Sequence, residues 1–328
     1  MLDLLSTNTA PESGYKPKKP EARTQVLPGL SILSTPVDID FSPKGLAPWS
    51  YSKLSTLDKC PLKFYLTYIV KAKVEEKKES YLTSVGLVAH DIIEKVLAKK
   101  SVEAAFIEAK KKFGKDFTEE EWTKDIESLE MSIHSFKQRI EAFEANYNVR
   151  RYFQEMEVAV DENWEPTGFW SDNAFFRGKI DLIIMVEVAE GIFEVIFIDH
   201  KTGAPAIMGL RNFSKQLDTY KVLFHHGVMK VKSGTSGVHF VRDGEIKLGD
   251  PTSAAAIETT LKNYIEFYIE SAIDKVKEIG YFKHITNSTC KYCEFATWCK
   301  GKDKVATKPF SSLEQNSKVW LLKHEVKR

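Results

Sequence analysis

No apolar run in this chain approaches the length that crosses a bilayer. Its N-terminus, MLDLLSTNTAPESG, lacks the basic start and apolar core of a secretory signal. The expectation is a protein with no membrane contact, not secreted, at home in a reducing cytoplasm where disulfides are rare. An excess of either charge is also missing, since 47 Lys and Arg oppose 46 Asp and Glu for a net charge of +1. That balance neither marks nor excludes a polyanionic partner, because a local patch can hide inside it. There is no internal repeat and no Gly-rich phosphate loop, so the chain carries no motif of an ATP-driven motor. Cysteine is scarce, with four in 328 residues. The remainder is ordinary: 43% apolar and 12% aromatic residues suffice for a sizeable core, in one large domain or two small ones.

Residues 1–48 read as a disordered or extended tail, because PESGYKPKKPEARTQVLPGLS is rich in Pro, Lys, Ser and Gly and has no regular period. Folded structure is expected from SYSKLSTLDKCPLKFYLTYIV onward, with Ser52 as a helix cap and Pro61 resetting the helix just after Cys60. Helices are expected over 84–100 with Ser84 as cap, over 102–113, and over 118–147. From residue 151 the hydrophobic period becomes two, giving three strands in RYFQEMEVAV, FFRGKIDLIIMVEV and FEVIFIDHK. The short turn EVAEGIF predicts an antiparallel hairpin from the last two. A helix over 210–230, one or two strands in SGVHFVRDGEIKL and a long amphipathic helix follow. The order predicts an α/β fold with a central mixed sheet flanked by helices, an N-terminal helical part and a C-terminal cysteine-bearing segment. The expected division is a tail to residue 48, one domain over 49–308, and a helical extension over 309–328.

The stretch FIDHKTG ends a strand on chemistry. Alternation puts Asp199 and Lys201 on one face and His200 on the other. Asp181 lies on the neighbouring strand, where a hairpin would bring it level with Asp199. Two facing carboxylates repel unless one is protonated, and a divalent cation removes the conflict; oxygen donors suit Mg²⁺ or Mn²⁺. Gly86, His90 and Glu94 share one helical stripe, with Gly86 able to let the helix approach the sheet. An imidazole in such a set would bias it toward Mn²⁺. Gln216 and Tyr220 are one helical turn apart on the following helix.

Cys290, Cys293 and Cys299 cluster late in the chain and Cys60 stands alone far upstream. Four thiols with a C-x-x-C in a cytosolic chain suggest a metal or cluster site, either zinc or [4Fe–4S]. Such a site requires the first and last parts of the fold to meet. Lys95, Lys99, Lys100, Lys110, Lys111 and Lys112 make another local feature: a track for phosphates, or a solvated helix face.

Taken in order, G-x-x-x-H (Gly86, His90), G-x-x-D (Gly178, Asp181), D-x-K (Asp199, Lys201) and Q-x-x-x-Y (Gln216, Tyr220) resemble the RecB-type branch of the PD-(D/E)xK nuclease superfamily. The single early cysteine followed by C-x2-C-x5-C resembles the iron–sulfur nuclease domains of AddB-type helicase–nucleases. The resemblance spans residues 50 to 300. It implies a restriction-endonuclease-like core and a metal-dependent DNA exonuclease. His90, Asp181, Asp199 and the backbone carbonyl of His200 would hold Mg²⁺ or Mn²⁺, and Lys201 would orient the attacking water and steady the phosphate. Gln216 and Tyr220 would support the lysine and contact the strand. Glu157 would be an accessory acid, with Glu155 competing for that place. The four cysteines would bind a [4Fe–4S] cluster that staples the chain's ends. The implied partners are DNA, single-stranded or at duplex ends, and a helicase, replication or recombination protein. A catalytically silent nucleic-acid-binding module of the same fold is the alternative, and an electron carrier is a third reading that leaves the D-x-K strand without a use.

Overall fold

The structure, a computed structural model, describes residues 25–27, 30–32, 40, 42–69, 71–74, 81–203, 206–279, 285–287, 289–290 and 293–296. Cys299 and the expected C-terminal extension lie outside the described residues, as do the basic YKPKKPEAR stretch and most of the expected tail. Within that tail, β1 (Gln25–Leu27) and β2 (Leu30–Ile32) pair antiparallel, and β2 pairs with β3 (Lys73–Val74).

The first helix, α1 (Tyr51–Lys59), is capped by Ser50, whose hydroxyl accepts from Lys53 N; the cap falls two residues before the expected Ser52. Cys60 ends α1 and Pro61 opens α2 (Pro61–Phe64), the reset that a proline at a first helical position imposes. Next, α3 (Tyr81–Leu97) begins three residues before the expected Ser84 and ends ahead of Lys99, whose positive φ of 68° terminates it in a left-handed turn. Then α4 (Val102–Phe113) runs as expected, capped by Ser101.

The expected single helix over 118–147 is broken. A capping box between Thr118 and Glu121 opens α5 (Glu119–Asp125), a 3-10 turn spans Glu127–Leu129, and α6 (Glu130–Asn146) resumes. Ile126 and Leu129 are both buried and, with Trp122, Ile133 and Phe136, keep the three-and-four spacing of one helical face, so the inward stripe runs on through the turn.

The central sheet has six strands in the order β5-β4-β6-β7-β8-β9. They are β4 (Val149–Val160), β5 (Pro166–Thr167), β6 (Phe176–Ala189), β7 (Ile192–Lys201), β8 (Ser233–Phe240) and β9 (Glu245–Ser253). The β6–β7 hairpin is antiparallel as expected, closing at Gly191 with φ 69°. All pairings are antiparallel except β7 with β8, which α7 (Ser214–Gly227) connects as a crossover. After β9, α8 (Lys262–Ile279) returns against the early helices.

Both faces of the sheet are covered. One carries α1, α2, α7 and α8 over Phe153, Val158, Ile180, Ile183 and Phe197. The other carries α3, α4 and α6 over Leu182, Ile184, Val186 and Ile198. Packing on both faces holds the mid-sheet strands rigidly, so the polar ends of β6 and β7 are positioned by the core beneath them. Among the described residues no helix is long and apolar enough to cross a membrane.

Candidate active site

Regular strands keep residues i and i+2 on one face. Here Ile180 packs in one core cluster and Leu182 in the other, so the alternation slips at Asp181. The partner strand slips at the same rung. Tyr152 and Phe153 pack on opposite faces as they should, but Met156 returns to the face of Phe153, and Glu155 between them has φ 51°. Gln154 pairs with Leu182 and Met156 with Ile180, which leaves Glu155 opposite Asp181. A left-handed glutamate in a strand costs on the order of 1–2 kcal/mol. The result is two carboxylates aimed toward α3 where the pattern would have buried apolar side chains.

There they meet His90. Its Nδ1 lies 2.9 Å from Glu155 Oε1, its Nε2 is 3.4 Å from the His200 carbonyl oxygen and 3.9 Å from Asp181 Oδ2. Glu155 also pairs with Lys179 at 2.8 Å. With Nδ1–H donating to Glu155, the Nε2 lone pair faces a carbonyl and a carboxylate. Three acceptors cannot share that space without a cation, either a proton on Nε2 or a metal ion. The titration behaviour agrees. Burial works against a charged His90, but Glu155 and Asp181 outweigh it and raise its pKa. Burial first, then repulsion from Asp199, pushes the Asp181 carboxyl up to about 7. The backbone N–H of His200 donates to Asp181 Oδ2 at 2.9 Å and fixes its orientation.

On the opposite face, α7 supplies a network. Gln216 Nε2 donates to Asp199 Oδ1 at 2.7 Å and to the Tyr220 hydroxyl at 2.7 Å, while Gln216 Oε1 accepts from Lys201 Nζ at 3.2 Å. Lys201 Nζ is also 2.6 Å from Asp199 Oδ2, and lies 5.2 Å from the centre of the Phe213 ring. That ammonium is the charge partner of the buried Oδ2. Burial raises the Asp199 carboxyl, with Lys201 opposing it. The glycine ahead of Asp181 packs closely under α7: a Cβ at Gly178 would come within 2.8 Å of Leu223 Cδ1, so a larger residue there would require the Leu223 tip to move. At Gly86 the corresponding contact is an ordinary 3.4 Å to Thr202 Oγ1, so close approach there does not demand glycine.

The donor set fits a hard divalent cation. His90, Glu155 and Asp181 offer ligand atoms within 4.8 Å of one another and the His200 carbonyl joins them, while Asp199, paired with Lys201, lies outside that set. A second grouping, Glu103, Glu130 and His134, lies on α4 and α6 away from the sheet.

The sequence profile of the PD-(D/E)XK nuclease superfamily matches residues 48–300. The chain belongs to that superfamily. The mixed sheet with helices on both faces and the helical N-terminal part are consistent with the restriction-endonuclease-like core of these nucleases. Among solved structures, the nuclease is similar to a "Putative exonuclease" from Eubacterium rectale, with 12% identity over 82% of this chain and 92% of that one and a TM-score of 0.44. It is also similar to SSO0001, with 14% identity over 67% of this chain and 97% of that one and a TM-score of 0.29. No curated protein matches.

In this nuclease Glu155, and not Glu157, reaches the histidine. Glu157 pairs in register with Lys179, stays exposed, and faces Arg177 and Lys179 electrostatically. The left-handed residue that decides between the two leaves no trace in hydrophobic alternation. The His200 ring packs edge-on against both His90, at 5.4 Å between ring centres, and Phe136, and its Nδ1 lies 3.0 Å from His239 Nδ1. Burial holds the His200 and His239 imidazoles neutral, His239 down to about 3. The basic stretch of α3 and α4 resolves into ion pairs: Lys95 and Lys112 with Asp91, Lys99 with Glu144, Lys100 with Glu108, and Lys110 with Glu119. Five of the six lysines of that run are thus paired with acids.

Cys60 and Cys293 pack at the edge of the same core, and Asn287 Nδ2 donates to Lys59 O at 3.0 Å, joining the late segment to the end of α1. Burial pushes the Cys293 thiol up, with Cys60 and Cys290 close enough to add to the effect. All three described cysteines are free thiols.

Proposed function

We propose that this chain is a metal-dependent DNA nuclease of the RecB type, acting as an exonuclease in recombination, repair or replication. The observation that carries the reading is the convergence of His90 Nε2, Asp181 Oδ2 and the His200 carbonyl beside the Asp199–Lys201 pair, at the end of one strand hairpin. His90, Asp181, Asp199 and the His200 carbonyl would hold Mg²⁺ or Mn²⁺. When bound, such an ion makes a water acidic enough to attack at neutral pH and offsets negative charge on phosphate.

The chain's own groups do the rest. Glu155 keeps the proton on His90 Nδ1 and so presents Nε2 to the site, as carboxylates behind ligating histidines do. Lys201 offers its ammonium to the attacking water and to the phosphate oxygen on which charge grows. Gln216 fixes that lysine and Asp199 at once, and Tyr220 fixes Gln216. Exonuclease mode and a DNA substrate rest on the resemblance in motif order.

The cysteines would hold a [4Fe–4S] cluster through Cys60, Cys290, Cys293 and Cys299. What supports this over zinc is spacing. Structural zinc usually draws on two close pairs of ligands, whereas here one cysteine is isolated and three are grouped along the sequence, as in the cluster-bearing nucleases the motif order resembles. The cluster would tie residues 49–308 into one nuclease domain and take no part in hydrolysis. Having no motor motif, the protein would act alone or be recruited by a helicase, replication or recombination protein.

The test is incubation of anaerobically purified protein with end-labelled single- and double-stranded DNA plus Mn²⁺ or Mg²⁺. Cleavage that EDTA stops and Lys201→Ala abolishes is expected. Binding without cleavage would instead indicate a silent module of the same fold.

A further inference from the structure

The described tryptophans divide sharply. Trp49, Trp122 and Trp164 are buried, whereas Trp170 is 61% exposed. Its exposure is built in. The Arg177 guanidinium lies 4.8 Å from the Trp170 ring centre and 5.0 Å from that of Phe169, and Arg177 Nη1 donates to Phe169 O at 2.8 Å. The loop is fixed by Ser171 N to Gly168 O at 3.0 Å, Ala174 N to Ser171 O at 3.1 Å, and Thr167 Oγ1 to Asn173 Oδ1 at 2.7 Å. An indole held on one side by a cation and open on the other is a preorganised stacking surface.

Its place on the sheet gives it a purpose. Phe176 and Ile180 point into the α7-side core, so Arg177 and Lys179 project from the other face, the one to which the slipped Asp181 also turns. The ion pair of Lys179 with Glu155 and the contact of Asp181 with His90 agree with that placement. Trp170, Arg177, Lys179 and Asp181 thus line one face of β6, with Arg177 about 13 Å along the strand from Asp181. The Arg177 guanidinium between an open aromatic ring and a carboxylate site matches a strand whose phosphates and bases both need partners.

We infer that Trp170, backed by Arg177, is a stacking station for an unpaired base of the strand engaged at Asp181. Within a duplex the faces of a base are covered by its neighbours, so the station selects single strands or frayed ends. The inference rests on the nuclease reading given above and names its substrate class.

The experiment uses the full chain in EDTA and measures the anisotropy of a fluorescein-labelled oligothymidylate of about twelve nucleotides. A blunt hairpin duplex serves as the second probe. Trp170→Ala is expected to weaken single-strand binding at least about fivefold, and Trp170→Phe to retain most of it, with blunt-duplex binding changing far less. An oligonucleotide carrying 2-aminopurine should be quenched by the wild type and not by Trp170→Ala. Equal weakening on both probes, or unchanged single-strand binding by a folded Trp170→Ala, overturns the stacking assignment while wild-type cleavage with Mn²⁺ leaves the nuclease reading standing. A wild type that neither binds nor cuts DNA with Mn²⁺ removes both.

Discussion

The two faces of the sheet at the end of β7 carry opposite kinds of polar chemistry. Toward α7, donors and acceptors alternate: Lys201, Asp199, Gln216 and Tyr220 nearly satisfy one another. Toward α3, His90 Nε2, Asp181 and the His200 carbonyl are acceptors facing acceptors. The first arrangement holds its own shape and presents a fixed ammonium. The second stores repulsion that a cation relieves. The difference teaches that preorganisation here has two sources, a hydrogen-bond network on one side and a pending ligand on the other.

Removing the ammonium breaks the comparison most severely. Lys201→Ala should lower cleavage at least about a hundredfold, as the loss of a fixed electrostatic donor does, with thermal stability little changed. Gel assays on end-labelled DNA with a parallel melting curve check this.

Next in size is the response of the α3 side to metal. Glu155→Gln should weaken Mn²⁺ binding by about 10- to 100-fold, because His90 loses the carboxylate that sets its tautomer. Glu157→Gln should leave it nearly unchanged. Isothermal titration calorimetry separates the two variants.

The pH dependence follows the same contrast. The Asp181 pKa is about 7 in the fold against 3.8 unperturbed, so the folded state binds this proton more tightly than the unfolded chain. The stability it contributes is present in full below about pH 4 and is lost as pH rises toward 7. His90, also raised, adds to the trend in the same direction. Metal-free protein should therefore gain more in melting temperature from Mn²⁺ at pH 8 than at pH 5, and Asp181→Asn should flatten the difference. An equal gain at both pH values would mean that the acceptors on this face do not repel.

The smallest effect is expected within the satisfied network. Tyr220→Phe removes one hydroxyl that accepts from Gln216, and should lower the cleavage rate about fivefold, the worth of a single hydrogen bond. A loss as large as that of Lys201→Ala would show that the tyrosine does more than hold Gln216.

Legibility in the sequence followed the reach of the forces involved. Alternation in FEVIFIDHK and RGKIDLIIMV predicted the hairpin, because strand period and turn length are local. The helix over 102–113 was legible for the same reason. Three features were not. The 3-10 turn at Glu127–Leu129 interrupts an apolar stripe that keeps helical spacing on both sides of it, so the pattern carries no mark of the break, and the left-handed Glu155 is held by neighbours rather than by its own preference. The pairing of Lys99 with Glu144 joins residues 45 positions apart, so part of a run that reads as a basic patch is offset in space by acids distant in sequence. Trp170 had no signal in spacing at all, since its meaning comes from the guanidinium behind it.

The proposed divalent cation would sit where His90, Asp181 and the His200 carbonyl converge. An anomalous difference map from a crystal soaked in manganese tests that placement most directly. The account predicts a peak within coordination distance of His90 Nε2, an Asp181 carboxylate oxygen and the His200 carbonyl oxygen. No density there, with manganese found instead at Glu103, Glu130 and His134 or nowhere on the protein, would contradict it.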